Sequence, residues 1–286
     1  MIIRLRLGEA LAAAVLAAPL LVLGAEGGGN AMQERVAQEA AKPTPKTASG
    51  VPDLSGYWSV VGGFVNPSAI PGTAVTADGT TTRPIAGAEI EEHQGNKAGV
   101  ARRLADTAAR PTYKPQFDVK AKANWDRANF LDPGYSCQPL GVPRIGVPNE
   151  IVQTPTTLYF LYQNHNIYRV VHLDRGHDPD AERLPMGESV GRWEGDTLVV
   201  DVTSLPEGDE TWLDGDGSYH SADMHVIERF TRKGNTLNYA LTVEDPIFAA
   251  PFTPKPKTLL LGNEHVGEDY PCTERDLPHM VTKERH

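Results

Sequence analysis

The chain has 286 residues, of which 40% are hydrophobic and 22% charged, and its formal net charge is −10. That length and composition allow one large or two small domains with a real core, and they exclude a chain that stays disordered throughout. An acidic balance with no basic patch argues against nucleic acid or an anionic membrane surface as a partner.

The first 25 residues, MIIRLRLGEALAAAVLAAPLLVLGA, place two arginines before an alanine/leucine run that ends in small residues. This is the layout of a secretory signal peptide, cleaved near Gly24 or Ala25. The apolar run from Leu11 to Leu23 is shorter than the roughly 20 residues that a membrane span needs. The expected location is therefore the periplasm or the exterior, with no membrane attachment after cleavage. Losing Arg4, Arg6 and Glu9 removes a net +1 and takes the mature chain from −10 to about −11.

Residues 26–50 are rich in Gly, Ala, Lys, Pro and Gln without periodicity, which predicts a flexible leader. Residues 51–286 are expected to form a single β-rich domain, opened by VPDLSGYWSVVGG. Residues 66–150 within it read as short helices and long coil. AGAEIEEHQGNKAGVARRLADTAAR offers helix formers interrupted by glycine, and FDVKAKANWDRANF is the helical candidate between recurring prolines.

Three hairpin-like units follow. The first is IVQTPTTLYFLYQNHNIYRVVHLD, with β-branched and aromatic runs on either side of QNHN. The second is SVGRWEGDTLVVDV, turning at EGDT, and the third is MHVIERFTRKGNTLNYALTVED, turning at RKGN. The echo between Gly-Asp-Thr-Leu at 195–198 and Gly-Asn-Thr-Leu at 234–237 is read as turn chemistry rather than duplication. About six strands, with SGYWSVV at the start, predict a mainly β fold. Its expected form is an antiparallel meander closed into a lipocalin-like barrel or a strongly curled sheet.

Cys137 and Cys272 are the only cysteines. In an oxidising compartment a lone pair reads as one disulfide, which in the chain-entropy model stabilises by about 4 to 5 kcal/mol; the alternative is two buried free thiols.

Six blocks in order, DLSGYW (53–58), CQPLGVPR (137–144), QTP (153–155), SVGRWEGDTLVVDV (189–202), HSADMHVIERF (220–230) and VEDP (243–246), resemble a large family of exported, mostly uncharacterised bacterial proteins. The resemblance implies export and a β-rich body, and it carries no activity with it. The Gly-x-Trp of SGYW is also similar to the first strand of lipocalin-like barrels.

Strand periodicity distributes the ionisable residues over both faces. Thr197, Val199 and Asp201 alternate with Leu198, Val200 and Val202, while His225, Ile227 and Arg229 alternate with Val226, Glu228 and Phe230. Arg169 and Val171 likewise alternate with Val170 and His172. Mixed faces suggest ionisable side chains at strand ends or in a partly polar interior.

Asp201 then has two readings, a strand-end cap or a group that serves a cavity, and Glu228 with Arg169 or Arg229 reads equally as a cross-strand ion pair. If the open ends of the hairpins gather at one rim, His220, His225, Asp201 and Glu228 form an acid/base set, with histidine as base and a carboxylate orienting it. Arg169, His172, Tyr239 and Trp193 would then line the substrate space. The same histidines, with His177 and Asp223, offer metal ligands, but their spacing matches no metal motif, so neither metal nor organic cofactor is expected. No Gly-x-Ser-x-Gly stands in the sequence, and His220, Ser221 and Asp223 are too close in the chain to form a triad among themselves.

Two functions are carried forward. One is an exported, cofactor-independent isomerase, lyase or hydrolase acting on a small, largely apolar molecule in a barrel cavity. The other is a periplasmic carrier or sensor that binds such a molecule unchanged.

Overall fold

The computed structural model of the chain describes residues 27–61, 73–75, 82–84 and 110–268. The signal-like segment, the 86–110 stretch expected to form helices except for Arg110, and the position of Cys272 lie outside them.

The body is a closed nine-stranded barrel. In chain order the strands are β1 (Gly56–Val60), β4 (Glu150–Gln153), β5 (Thr157–Leu161), β6 (Tyr168–His172), β7 (Glu188–Glu194), β8 (Thr197–Thr203), β9 (His225–Lys233), β10 (Thr236–Glu244) and β11 (Lys257–Gly262). Two further strands, β2 (Thr73–Val75) and β3 (Thr82–Pro84), pair only with each other. The barrel order is β1-β11-β10-β9-β8-β7-β6-β5-β4, closed where Gly56 and Tyr57 of β1 meet Ile151 and Glu150 of β4. The expected barrel is present in its closed form, but it is mixed rather than wholly antiparallel, because β6 and β7 run parallel.

Two strands were not foreseen. EIVQ pairs ahead of the first hairpin as β4, and KTLLLG brings the chain back beside β1 as β11. Both are short, and KTLLLG follows a proline-rich stretch that hides its strand signal.

The second and third hairpins turn in two residues each, Gly195-Asp196 and Gly234-Asn235. Only the glycine has a positive φ in each, 61° and 56°, as a type II′ loop requires of its first central residue. Turn geometry thus accounts for the repeated Gly-x-Thr-Leu.

Alternation along the strands sorts the core. Leu198, Val200 and Val202 of β8, Val226 and Phe230 of β9, Leu237, Tyr239 and Val243 of β10, and Leu158 and Phe160 of β5 are buried together inside the barrel. Each such side chain stabilises by roughly 1.5 to 3 kcal/mol relative to exposure. Trp58 of the SGYW block is 1% exposed, donates its indole N–H to the Leu54 carbonyl at 2.9 Å and carries the Arg232 guanidinium 5.1 Å from its ring centre.

The same core extends beyond the strands. The long connection from β8 to β9 buries Trp212, Tyr219 and Met224, and Tyr219 stacks on Tyr113, their centroids 5.1 Å apart. The helical candidate is observed as α2 (Pro115–Asp126), followed by the short α3 (Ala128–Leu131); its Trp125 is 6% exposed.

The leader departs from expectation. Residues Gly27–Ala40 form a helix, α1, and its C-terminal end is tied to the β9–β10 turn. Asn235 donates its backbone N–H to the Glu39 carbonyl at 3.0 Å and its side-chain amide to the Glu39 carboxylate at 2.8 Å, while Gly234 N–H reaches Thr44 Oγ1 at 2.8 Å. The helix has a mostly exposed surface, so no apolar stripe announces it. What holds it is polar contact to a turn almost 200 residues away, which periodicity cannot register.

Candidate functional site

The inner face of the barrel is not uniformly apolar. Arg169 projects inward from β6 and Glu228 inward from β9, and the two charges meet at 2.6 Å with side chains 2% and 1% exposed. The contact is a close charge pair whose angle does not make it a hydrogen bond. Tyr239 of β10 donates its hydroxyl to Glu228 Oε1 at 2.9 Å. The guanidinium lies 5.1 Å from the centre of the Phe160 ring, and Phe230 packs against both Phe160 and Tyr239.

Burial works against the charge of Arg169, but the Glu228 carboxylate beside it more than offsets this and holds the guanidinium pKa above its usual value. Burial pushes the phenols of Tyr162 and Tyr239 well above the ordinary tyrosine range, so both stay protonated. Six buried side-chain atoms in this region find no hydrogen-bond partner among the described residues: Arg169 Nε, Nη1 and Nη2, Glu228 Oε2, the Tyr162 hydroxyl and the Ser189 hydroxyl; Nη2 and Oε2 face each other as the ion pair, which leaves four unengaged. Leaving a buried polar group unpaired costs about 1 to 3 kcal/mol, so four together ask for a purpose.

Arg169 and Ser189 also line a cleft of about 590 Å³. The cleft lies where β6 and β7 run parallel and share only two register pairs, Val171 with Ser189 and His172 with Val190, whereas β7 and β8 share seven. It is formed there because the connection from β6 to β7 must travel the length of the barrel to bring β7 back parallel. Ile167, Tyr168, Leu184 and Met186 give it apolar surface, and His172, Arg175, Asp178 and Glu188 stand among its polar lining. Tyr168 and Leu184 are 66% and 48% exposed, high values for large apolar side chains.

The acid/base set expected from the sequence is not gathered in one place. Glu228 is inside the barrel. Asp201 is on the outer face of β8, where its Oδ1 accepts from His225 Nε2 at 2.7 Å and from His177 Nε2 at 3.1 Å. The other ring nitrogen of each histidine faces a further carboxylate, Glu188 at 3.0 Å from His177 and Glu244 at 3.4 Å from His225. Asp201 therefore joins the β6–β7 connection to β9 across the outside of the sheet, and it does not line the cleft between β6 and β7.

His220 is separate from both. It is 2% exposed within the β8–β9 connection, donating Nδ1–H to the Ser221 carbonyl at 2.9 Å and taking the Thr211 hydroxyl on Nε2 at 2.7 Å. Burial lowers its pKa, which favours the neutral ring these two bonds require.

The expected substrate-binding residues divide as well. Arg169 and His172 line the cleft, and Tyr239 is inside, bound to Glu228. Trp193 lies at the far end of β7, opposite Leu198, partly buried against the core and away from the cleft. Tyr162 and Ser189 escaped sequence reasoning because one ends an apolar run and the other stands in an unremarkable Glu-Ser-Val. Among the described residues, no group of three or more His, Cys, Asp or Glu side chains is placed to hold a metal ion.

No family model matches the chain, and neither a curated protein nor a solved structure is found to match it.

Proposed function

We propose that this is an exported protein that binds a small, largely apolar molecule in the cleft between β6 and β7. The observation that carries this reading is the junction of an apolar-walled cleft of ligand size with buried hydrogen-bonding groups that lack partners. Both carboxylate oxygens of Glu228 are engaged, by Tyr239 and Arg169, and Asp201 with His225 sits on the outer sheet surface. This distribution favours binding over acid/base turnover of the ligand. Export belongs to the same reading and rests on the N-terminal 25 residues and the cysteine pair. Cys137 is not a free thiol, and its proposed partner is Cys272.

Fluorescence titration with N-phenyl-1-naphthylamine, a neutral apolar probe, tests the cleft. The wild-type chain is expected to bind it saturably, and Leu184→Glu to weaken binding at least tenfold. Val119→Glu, on the exposed face of α2, should bind as wild type does. Equal binding by all three proteins would refute the cleft as the site.

A further inference from the structure

Resting on the cleft reading, we infer that its ligand carries a neutral hydrogen-bond acceptor, such as a ketone, ester or amide carbonyl, and that Ser189, Tyr162 and the unpaired N–H groups of Arg169 receive it. The buried set has a fixed stock of donors and acceptors to offer. Glu228 is the acidic side chain in that set, and its oxygens are taken by the Tyr239 hydroxyl at 2.9 Å and the Arg169 guanidinium at 2.6 Å. Among the described residues, Arg169 Nε and Nη1 and the hydroxyls of Tyr162 and Ser189 make no hydrogen bond of good geometry, although the Tyr162 hydroxyl is near enough to Arg169 to feel its charge. Guanidinium N–H groups only donate, and the Tyr162 phenol is held in its protonated form by burial. The surplus is therefore in donors, and the complementary ligand group is an acceptor.

Charge then separates a carbonyl from a carboxylate. Arg169 is already neutralised by Glu228, and both are at most 2% exposed. A carboxylate ligand would place a second negative charge beside one positive charge, in a region too dry to solvate the excess. A carbonyl adds no net charge and offers two lone pairs to two of the waiting donors. The cleft rim leans the same way, since Asp178, Glu182 and Glu188 outnumber Arg175 there.

Access is provided by the seam. Ser189 lies directly across from Val171 in one of the two register pairs that join β6 to β7, and Ser189 and Arg169 both line the cleft, so a ligand that parts those few bonds reaches these two residues; Tyr162 is not in the lining and is reached beyond Arg169, whose charge acts on its hydroxyl.

Three naphthalenes of nearly equal size test the inference by competition against N-phenyl-1-naphthylamine: 2-acetylnaphthalene, 2-ethylnaphthalene and 2-naphthoate at pH 7.5. The wild-type protein is expected to prefer the ketone over both others by at least tenfold. Tyr162→Phe and Ser189→Ala should each reduce that preference to threefold or less while leaving affinity for 2-ethylnaphthalene unchanged. Neither substitution should lower the melting temperature of the ligand-free protein, because each removes a buried hydroxyl that has no partner. Saturable, cleft-dependent binding of all three naphthalenes without a preference would overturn the acceptor inference and leave the cleft standing. A preference that survives both substitutions would do the same, as would a fall of several degrees in melting temperature for either variant, which would mean that its hydroxyl is already satisfied. Failure of all three compounds to compete, or competition unaffected by Leu184→Glu, would overturn the inference together with the cleft.

Discussion

Among single residues, His220 and Asp201 show how one residue type or one strand position acquires its role from what surrounds it. Asp201 works as a connector on the outside of the barrel, drawing His177 and His225 to the same carboxylate oxygen. His220 is enclosed and neutral, its ring orientation set by the Ser221 carbonyl and the Thr211 hydroxyl. Its folded pKa is lowered, with burial the main cause, whereas the unfolded chain protonates it near the usual histidine value of about 6.5. The unfolded state thus binds more protons as pH falls below that value, and the stability His220 contributes is present above it and lost as pH drops through the lowered folded value. His220→Gln, which retains groups for both hydrogen bonds and cannot titrate, should lose less stability than wild type between pH 7 and pH 5. Urea unfolding at the two pH values measures this, and parallel losses in the two proteins would show that other groups set the acid response.

At the scale of elements, the cleft depends on how the chain enters β7. Gly187 precedes that strand at φ 61°, and a Cβ there would stand 2.6 Å from the Thr203 carbonyl oxygen and 2.8 Å from Val202 Cγ1. Gly195, in the β7–β8 turn, has the same φ of 61° and nothing within 4 Å of its would-be Cβ. The two glycines therefore separate backbone strain from close packing. Gly195→Ala should cost about 1 to 3 kcal/mol, the range for a non-glycine residue held in a left-handed conformation. Gly187→Ala should cost more than that and should also weaken naphthylamine binding, because its neighbour must move the wall of the cleft. Equal stability losses, with binding intact, would show that β7 adjusts without disturbing the cleft.

On the scale of the whole molecule, the chain is stitched together by contacts between distant segments. Arg232 donates to the Asp53 carbonyl, the end of α1 is bound to the β9–β10 turn, and β11 returns to close on β1. A disulfide from Cys137 to Cys272 would extend this by fastening the C-terminal tail to the coil that precedes β4. Intact-mass analysis of protein recovered from the periplasm, without reductant, should give a chain beginning near residue 25 and two mass units lighter than its reduced form. Peptide mapping should then place the link between Cys137 and Cys272. An uncleaved N-terminus would remove export from the proposed function, and two alkylatable thiols would remove the bridge.

The β class, the three hairpins, the first strand and the helix around Trp125 are legible in the sequence because each is written in local terms: period-two alternation, glycine at the turn, helix formers between prolines. Arg169, Glu228 and Tyr239 are legible as well, since charged and phenolic residues amid apolar alternation stand out. Tertiary structure alone decided which face each one occupies and with whom. Alternation places Asp201 opposite Val200 and Glu228 opposite Ile227, but it does not say which side of a sheet becomes the inside, and both sides carried apolar residues. Closure settles that, by turning the β9 face with Val226, Glu228 and Phe230 inward and the face with His225 and Arg229 outward. The cleft was out of reach for the same reason, because it exists only where β7 returns parallel to β6, and a strand's direction relative to its neighbour is a property of the whole path of the chain.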